Sequence, residues 1–150
     1  MALICPCAEH ATEIPESAVI RQDDDACNEL DPEHRGGFEA YFVVRTRATA
    51  RRYRDHVVPG MGRVVEAALG RIFADMSIDM GEDRFDKPAL IVAGRQDSTV
   101  GYRDAVQLLD RYPKASIAVV EGAGHAVLHE YPELMAAHLR HWLQRLSHAD

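Results

Sequence analysis

The chain has 150 residues, 47% of them hydrophobic, with a formal net charge of -7. That length is about one domain, and the apolar share is enough to bury a core, which excludes a wholly disordered chain. The acidic balance gives no general attraction for phosphate backbones, and no apolar run approaches the ~18 residues of a membrane span, so neither nucleic acid nor membrane is an expected partner.

Met1-Ala2-Leu3-Ile4-Cys5 opens the chain as a short apolar run that fits a strand. It lacks a positive n-region and is too short for a signal peptide, so the expected location is cytoplasmic. The three cysteines, Cys5, Cys7 and Cys27, are odd in number and irregularly spaced. That argues against a disulfide framework and leaves Cys5-Pro6-Cys7 as a reduced structural pair near a strand end.

Residues 23–80 favour helices. Phe38 to Val44, Ala48 to Val58 and Val64 to Met76 have helical character, broken by Gly36-Gly37 and by Pro59-Gly60-Met61-Gly62. No strand is expected there. Arg45, Arg47, Arg51, Arg52 and Arg54 form a basic cluster, three of them on one helical face. They fit a solvated face balanced by nearby acids better than a site for an anionic substrate. Asp23-Asp24-Asp25 lacks a metal-loop pattern and suits a loop or helix start. Tyr41, Phe42 and Tyr53 fit plain core, with a pocket wall as the alternative.

Asp86-Lys87-Pro88 is a turn signal before Ala89-Leu90-Ile91-Val92-Ala93, a continuous apolar run that predicts a strand buried on both faces of a parallel sheet. Tyr102 to Tyr112 carries Ala105, Leu108, Leu109 and Tyr112 at helical spacing, and Pro113 stops it. Ser116-Ile117-Ala118-Val119-Val120 predicts a second buried strand. Pro132 suits the first turn of a last helix, whose apolar face would hold Leu134, Ala137, Leu139, Trp142, Leu143 and Leu146. Strand, helix, strand, helix with short loops is the pattern of a parallel α/β sheet.

Asp97 follows the first of these strands and His125 the second, 28 positions on (125 − 97 = 28). Chemistry in open α/β sheets gathers at the carboxyl ends of strands, and neighbouring strands bring such loops together. A buried carboxylate beside an imidazole holds its tautomer and stabilises the imidazolium formed when the ring takes a proton. Taken singly, Asp97 could be a turn or helix cap and His125 a structural residue; their joint placement favours an acid–base pair. His125 with His129, and His138 with His141, have metal-like spacing but lack a converging third or fourth ligand, so no metal is expected.

Residues 86–146 resemble the last two strand–helix units of the α/β-hydrolase family. Gly94-Arg95-Gln96-Asp97 resembles the family's acid turn, and Gly122-Ala123-Gly124-His125 its base turn. The resemblance implies an α/β fold: a short parallel sheet with crossover helices, in which residues 1–7 and 86–150 form a partial core, Ala2 to Cys5 being the sixth strand, and residues 8–85 a helical cap insertion. It implies a hydrolase acting on a small-molecule ester or related bond, with Asp97 orienting His125 as base, and no organic cofactor.

The family's nucleophile elbow, G-x-S-x-G, is absent: Ser17, Ser77, Ser98, Ser116 and Ser147 lie in no such setting, and no cysteine or aspartate takes its place. Both expected oxyanion donors are absent with it. The chain as it stands is therefore expected to be truncated and inactive unless a nucleophile-bearing N-terminal part completes it. A bare edge on the sixth strand predicts marginal stability, self-association or dependence on such a part. The alternative function is a non-catalytic interaction or dimerisation module.

Overall fold

A computed structural model describes residues 1–7, 13–74 and 84–148. Three parallel strands form the main sheet: β1 (Ala2–Ile4), β4 (Ala89–Gly94) and β5 (Ala115–Val120), with β4 in the centre. The register sets Ala2 opposite Leu90 and Ala89 opposite Ala115. Between β1 and β4 lie β2 (Arg21–Gln22), α1 (Pro32–Tyr41), β3 (Val44–Arg45), α2 (Arg47–Arg52), α3 (Val58–Met61) and α4 (Glu66–Ala74). After β4 come α5 (Arg103–Gln107), then β5, α6 (Val127–Glu130) and α7 (Pro132–Leu146).

β4 is buried along its whole length because both faces are covered. Alternate side chains point to opposite sides of a strand. Leu90 and Val92 meet Val127, Met135, Leu139 and Trp142 on one side. Ala89, Ile91 and Ala93 meet Ala105, Leu108, Leu109 and Tyr112 on the other. Trp142 is tied down as it packs: its indole N–H donates to the Pro88 carbonyl at 3.1 Å.

Two expectations for this half are corrected. β5 is not buried like β4; among the described residues it pairs with β4 alone, its residues are mostly half-buried, and Val119 is exposed. On α7 the packed face is Met135, Leu139 and Trp142, while Leu134, Ala137, Leu143 and Leu146 face outward. A run this rich in leucine and alanine carries two apolar stripes, and its periodicity does not say which one meets the sheet.

The helical segment has its own core, in which Phe38, Phe42, Ala50 and Tyr53 are buried with Ala26, Leu30 and Ala126. Here α1 runs straight through Gly36-Gly37, which the sequence marks as a break. A Cβ at Gly37 would collide with the Tyr53 hydroxyl, so the glycine serves close packing rather than a turn. The helix ends at Tyr41, and Phe42 leads into β3 instead of continuing to Val44. β2 and β3 form a two-residue parallel pair, and β3 lies within residues 23–80, where no strand is expected.

A reciprocal pair of hydroxyl bonds between Thr46 and Thr49 starts α2. A π-helical turn, Tyr53–Val57, then joins α2 to α3, so helical backbone passes Pro59-Gly60 before it stops. The helix expected from Val64 to Met76 begins later, at Glu66, and its expected end at Met76 lies outside the described residues. No helix among the described residues is long and apolar enough to cross a membrane.

Candidate active site

The turn after β4 is built on backbone bonds to the neighbouring loop. Arg95 N–H donates to the Val120 carbonyl at 2.9 Å and Gln96 N–H to that of Ala123 at 2.8 Å. The Gln96 side chain completes the join, accepting from Gly122 N–H at 2.8 Å and donating to Glu121 at 3.0 Å. A Cβ on Gly94 would overlap the carbonyl oxygens of Ala123 and Gly124. Glycine is therefore what lets the two loops lie against each other.

Asp97 sits in this turn with its side chain wholly buried. Its Oδ1 accepts from the backbone N–H groups of Thr99 and Val100, at 2.9 and 3.1 Å. Its Oδ2 lies 2.9 Å from Nδ1 of His125. Burial pushes the carboxyl up, but the bonds from His125, Val100 and Thr99 outweigh it and hold it below its ordinary value. An ionised Asp97 can only accept, so Nδ1 of His125 donates and the lone pair of the ring falls on Nε2. The imidazole is one-quarter exposed. The turn-capping and pairing roles weighed for Asp97 are thus both filled, one by each carboxylate oxygen.

The Tyr41 ring stands edge-on to the imidazole with centroids 5.7 Å apart. Phe42 and Tyr53, the other two aromatics considered for a pocket wall, are core residues packed at tilted and edge-on angles around Phe38 and each other.

The structure also brings to the pair two residues that sequence reasoning does not place there. Cys5, just after β1, holds a left-handed backbone conformation at φ 47°. Its sulfur and the ligand atoms of Asp97 and His125 all lie within 4.8 Å of one another. These three could in principle share a metal ion, though Asp97 and His125 already satisfy each other. Burial, with Asp97 nearby, pushes the Cys5 thiol up to about 12, so it stays protonated and is a poor nucleophile. The positive φ is the signal of a constrained position, and it is invisible in sequence.

Glu130 is the second. It is 6% exposed, and its carboxylate accepts from three backbone N–H groups, those of Val43, Val44 and Gly124. Burial pushes its carboxyl up against those three bonds.

The remaining candidates stand apart from the pair. Arg47, Arg51 and Arg54 converge on Glu29, which they hold down at about 2, chiefly through the bonds from Arg51 and Arg47. Arg45 donates to the carbonyls of Phe42 and Glu39, and Arg52 to that of His129. Asp23 and Asp25 flank Arg47 just before a 3-10 turn, Ala26–Glu29. The His129 ring stacks on His56 and packs near Phe42. Burial, His56 and Arg52 lower its affinity for a proton. An open cleft of about 490 Å³ lies beside the acid turn, lined by Arg95, Gln96, Tyr102 and Arg103 with Glu13 to Pro15, and does not reach the imidazole.

Residues 75–148 match the family model described as TAP-like protein. An α/β superfamily hydrolase from Oenococcus oeni PSU-1 superposes with a TM-score of 0.84 at 20% identity, over 97% of this chain and 57% of that one. A bromoperoxidase from Bacillus anthracis overlaps at 23% identity and TM-score 0.38, over 40% of this chain and 22% of that one. A thermophilic esterase from Thermogutta terrifontis, solved with malate bound, overlaps at 25% identity and TM-score 0.37, over 39% and 22%. No curated protein sequence matches the chain. The chain spans little more than half the length of the Oenococcus hydrolase it superposes on. With a parallel α/β sheet, that superposition and a family match across its acid- and base-bearing half, the chain has the fold of the α/β hydrolases.

Proposed function

We propose that this chain supplies the acid–base half of a hydrolase active site, with Asp97 orienting His125 and the helical segment between β1 and β4 serving as its cap. One observation carries the proposal: Nδ1 of His125 and Oδ2 of Asp97 lie 2.9 Å apart, with the carboxylate buried and the imidazole partly open. That arrangement can take a proton from a hydroxyl nucleophile at Nε2 and return it to a leaving group. The nucleophile and the oxyanion donors come from polypeptide outside these 150 residues, since no G-x-S-x-G is present and the Oenococcus hydrolase is much longer. The substrate is a small-molecule ester or a related bond. The partner is the nucleophile-bearing polypeptide, which pairs along the outer edge of β1.

The chain alone is therefore inactive. The test is turnover of p-nitrophenyl acetate by the purified chain, and by the chain co-expressed with the polypeptide encoded just upstream. The complex should turn over ester, and His125→Ala should cost it on the order of 10²–10⁴-fold. Turnover by the chain alone that His125→Ala abolishes would overturn the need for a partner. Turnover by the complex that ignores His125→Ala would overturn the assigned base.

A second reading rests on the β1 edge, which has no strand beside it among the described residues. Such an edge suits self-association through strand pairing. Sedimentation separates the two: a dimer that persists when the upstream polypeptide is present favours this reading.

A further inference from the structure

We infer that Glu130 is a positioning residue: one buried carboxylate clamps the base loop to the 43–44 segment and so fixes the imidazole of His125 against Tyr41. This rests on the reading of His125 as the base. The clamp spans the chain, because Val43 and Val44 are 87 and 86 positions from Glu130, while Gly124 is only 6 away.

Each oxygen serves one side. Oε1 accepts from Val43 N–H at 2.8 Å and Val44 N–H at 3.1 Å. Oε2 accepts from Gly124 N–H at 2.7 Å. Gly124 directly precedes His125, and Val43 is two residues past Tyr41, whose ring stands against the imidazole. The two segments touch only because position 124 has no side chain: a Cβ there would come within 2.8 Å of Val43 Cγ1. Without an acceptor, three amides would be left unpaired in a buried junction, so the segments would part to hydrate them. The imidazole would then keep Asp97 but lose its fixed distance from the aromatic wall.

Glutamine isolates this role from bulk stability. It has nearly the same shape but one accepting oxygen, and its NH₂ would face an N–H. Whichever way the amide is turned, one side of the clamp fails while the other holds. In Glu130→Gln, amide exchange should therefore rise on the order of tenfold or more at Gly124 alone, or at Val43 and Val44 together, as expected for losing a bond to a charged acceptor. Amides of β4 and β5 should be unchanged, and the nuclear Overhauser contact between the Tyr41 and His125 rings should weaken.

Unchanged exchange at all three amides, or an unchanged ring contact, would overturn the inference. If the variant does not fold, the wild-type chain decides. Its three amides should open as one unit with protection equal to within about tenfold, as in a cooperative local opening. A larger spread would overturn the clamp. All these readings need no ester turnover. An intact clamp with no turnover in the complex sinks the hydrolase proposal alone, and a failed clamp with normal turnover sinks this one alone.

Discussion

Replacing Asp97 separates what its carboxylate does for stability from what it does for the imidazole. Asp97→Ala removes the acceptor for the Thr99 and Val100 amides and for His125 Nδ1, all from a fully buried site. Deleting one partner of a buried, hydrogen-bonded pair costs about 3–5 kcal/mol. In a chain of this size each kcal/mol lowers the melting temperature by about 2–4 °C, so the alanine variant should melt roughly 6–20 °C lower. Asp97→Asn should lose less than half as much, because its oxygen can still accept from Thr99 and Val100. Its NH₂ then opposes Nδ1, so the imidazole must carry its proton on Nε2. Melting followed by circular dichroism reads the first effect, and nitrogen chemical shifts of the labelled histidine read the second. An alanine variant melting within about 2 °C of wild type would refute the energetic argument, on the same conversion. An asparagine variant that keeps its proton on Nδ1 would refute the tautomer argument.

Other outcomes follow from the same contacts. The stability from Asp97 should be complete above its unfolded value of 3.8 and be lost as pH falls through the lower native value; a loss that begins near neutral pH would contradict it. Glu29 should titrate near 2 rather than its ordinary 4.5, and the arginines on it should release only there; a carboxyl shift midpoint at 4 or above would remove the network. Its coupling to stability should weaken in high salt, as for any exposed cluster. Met135→Ala, in the buried contact between α7 and the sheet, should cost about 2–5 kcal/mol by chemical denaturation. Cys5, protonated and buried, should resist iodoacetamide at pH 8 while exposed Cys7 reacts; equal rates would show that the thiol is open and ionised.

The parts of the fold legible in sequence are those set by burial on both faces or by local stops. Ala89 to Gly94 announces itself because a strand covered on both sides has no reason to alternate. Pro132 marks a helix limit because a missing N–H is a local constraint, whereas the helix expected to run to Tyr112 before Pro113 ends at Gln107, with a 3-10 turn to Asp110. Asp97 and His125 are legible because each ends a strand, and strand order brings their loops together. Tertiary contacts decide the rest. Gly36-Gly37 reads as a break until Tyr53 is seen filling the space where Gly37 lacks a side chain. Leu143 looks like core because its type fits, yet α7 turns Met135 and Trp142 inward instead. Glu130 carries no motif, since its three partners are backbone amides that any residue could provide. Cys5 reads as a structural thiol at a strand end, and only the packing of β1 on β4 shows which carboxylate it approaches.

Because β4 and β5 are neighbours in register, the residues that follow them are joined by a single crossover of 28 positions. The carboxylate and the ring are therefore held together by contacts between two adjacent strands of one sheet. If His125 is the base, the proton acceptor and its orienting carboxylate are complete within this one chain. On the proposed function, a second polypeptide would need only to bring a hydroxyl to the open face of the ring.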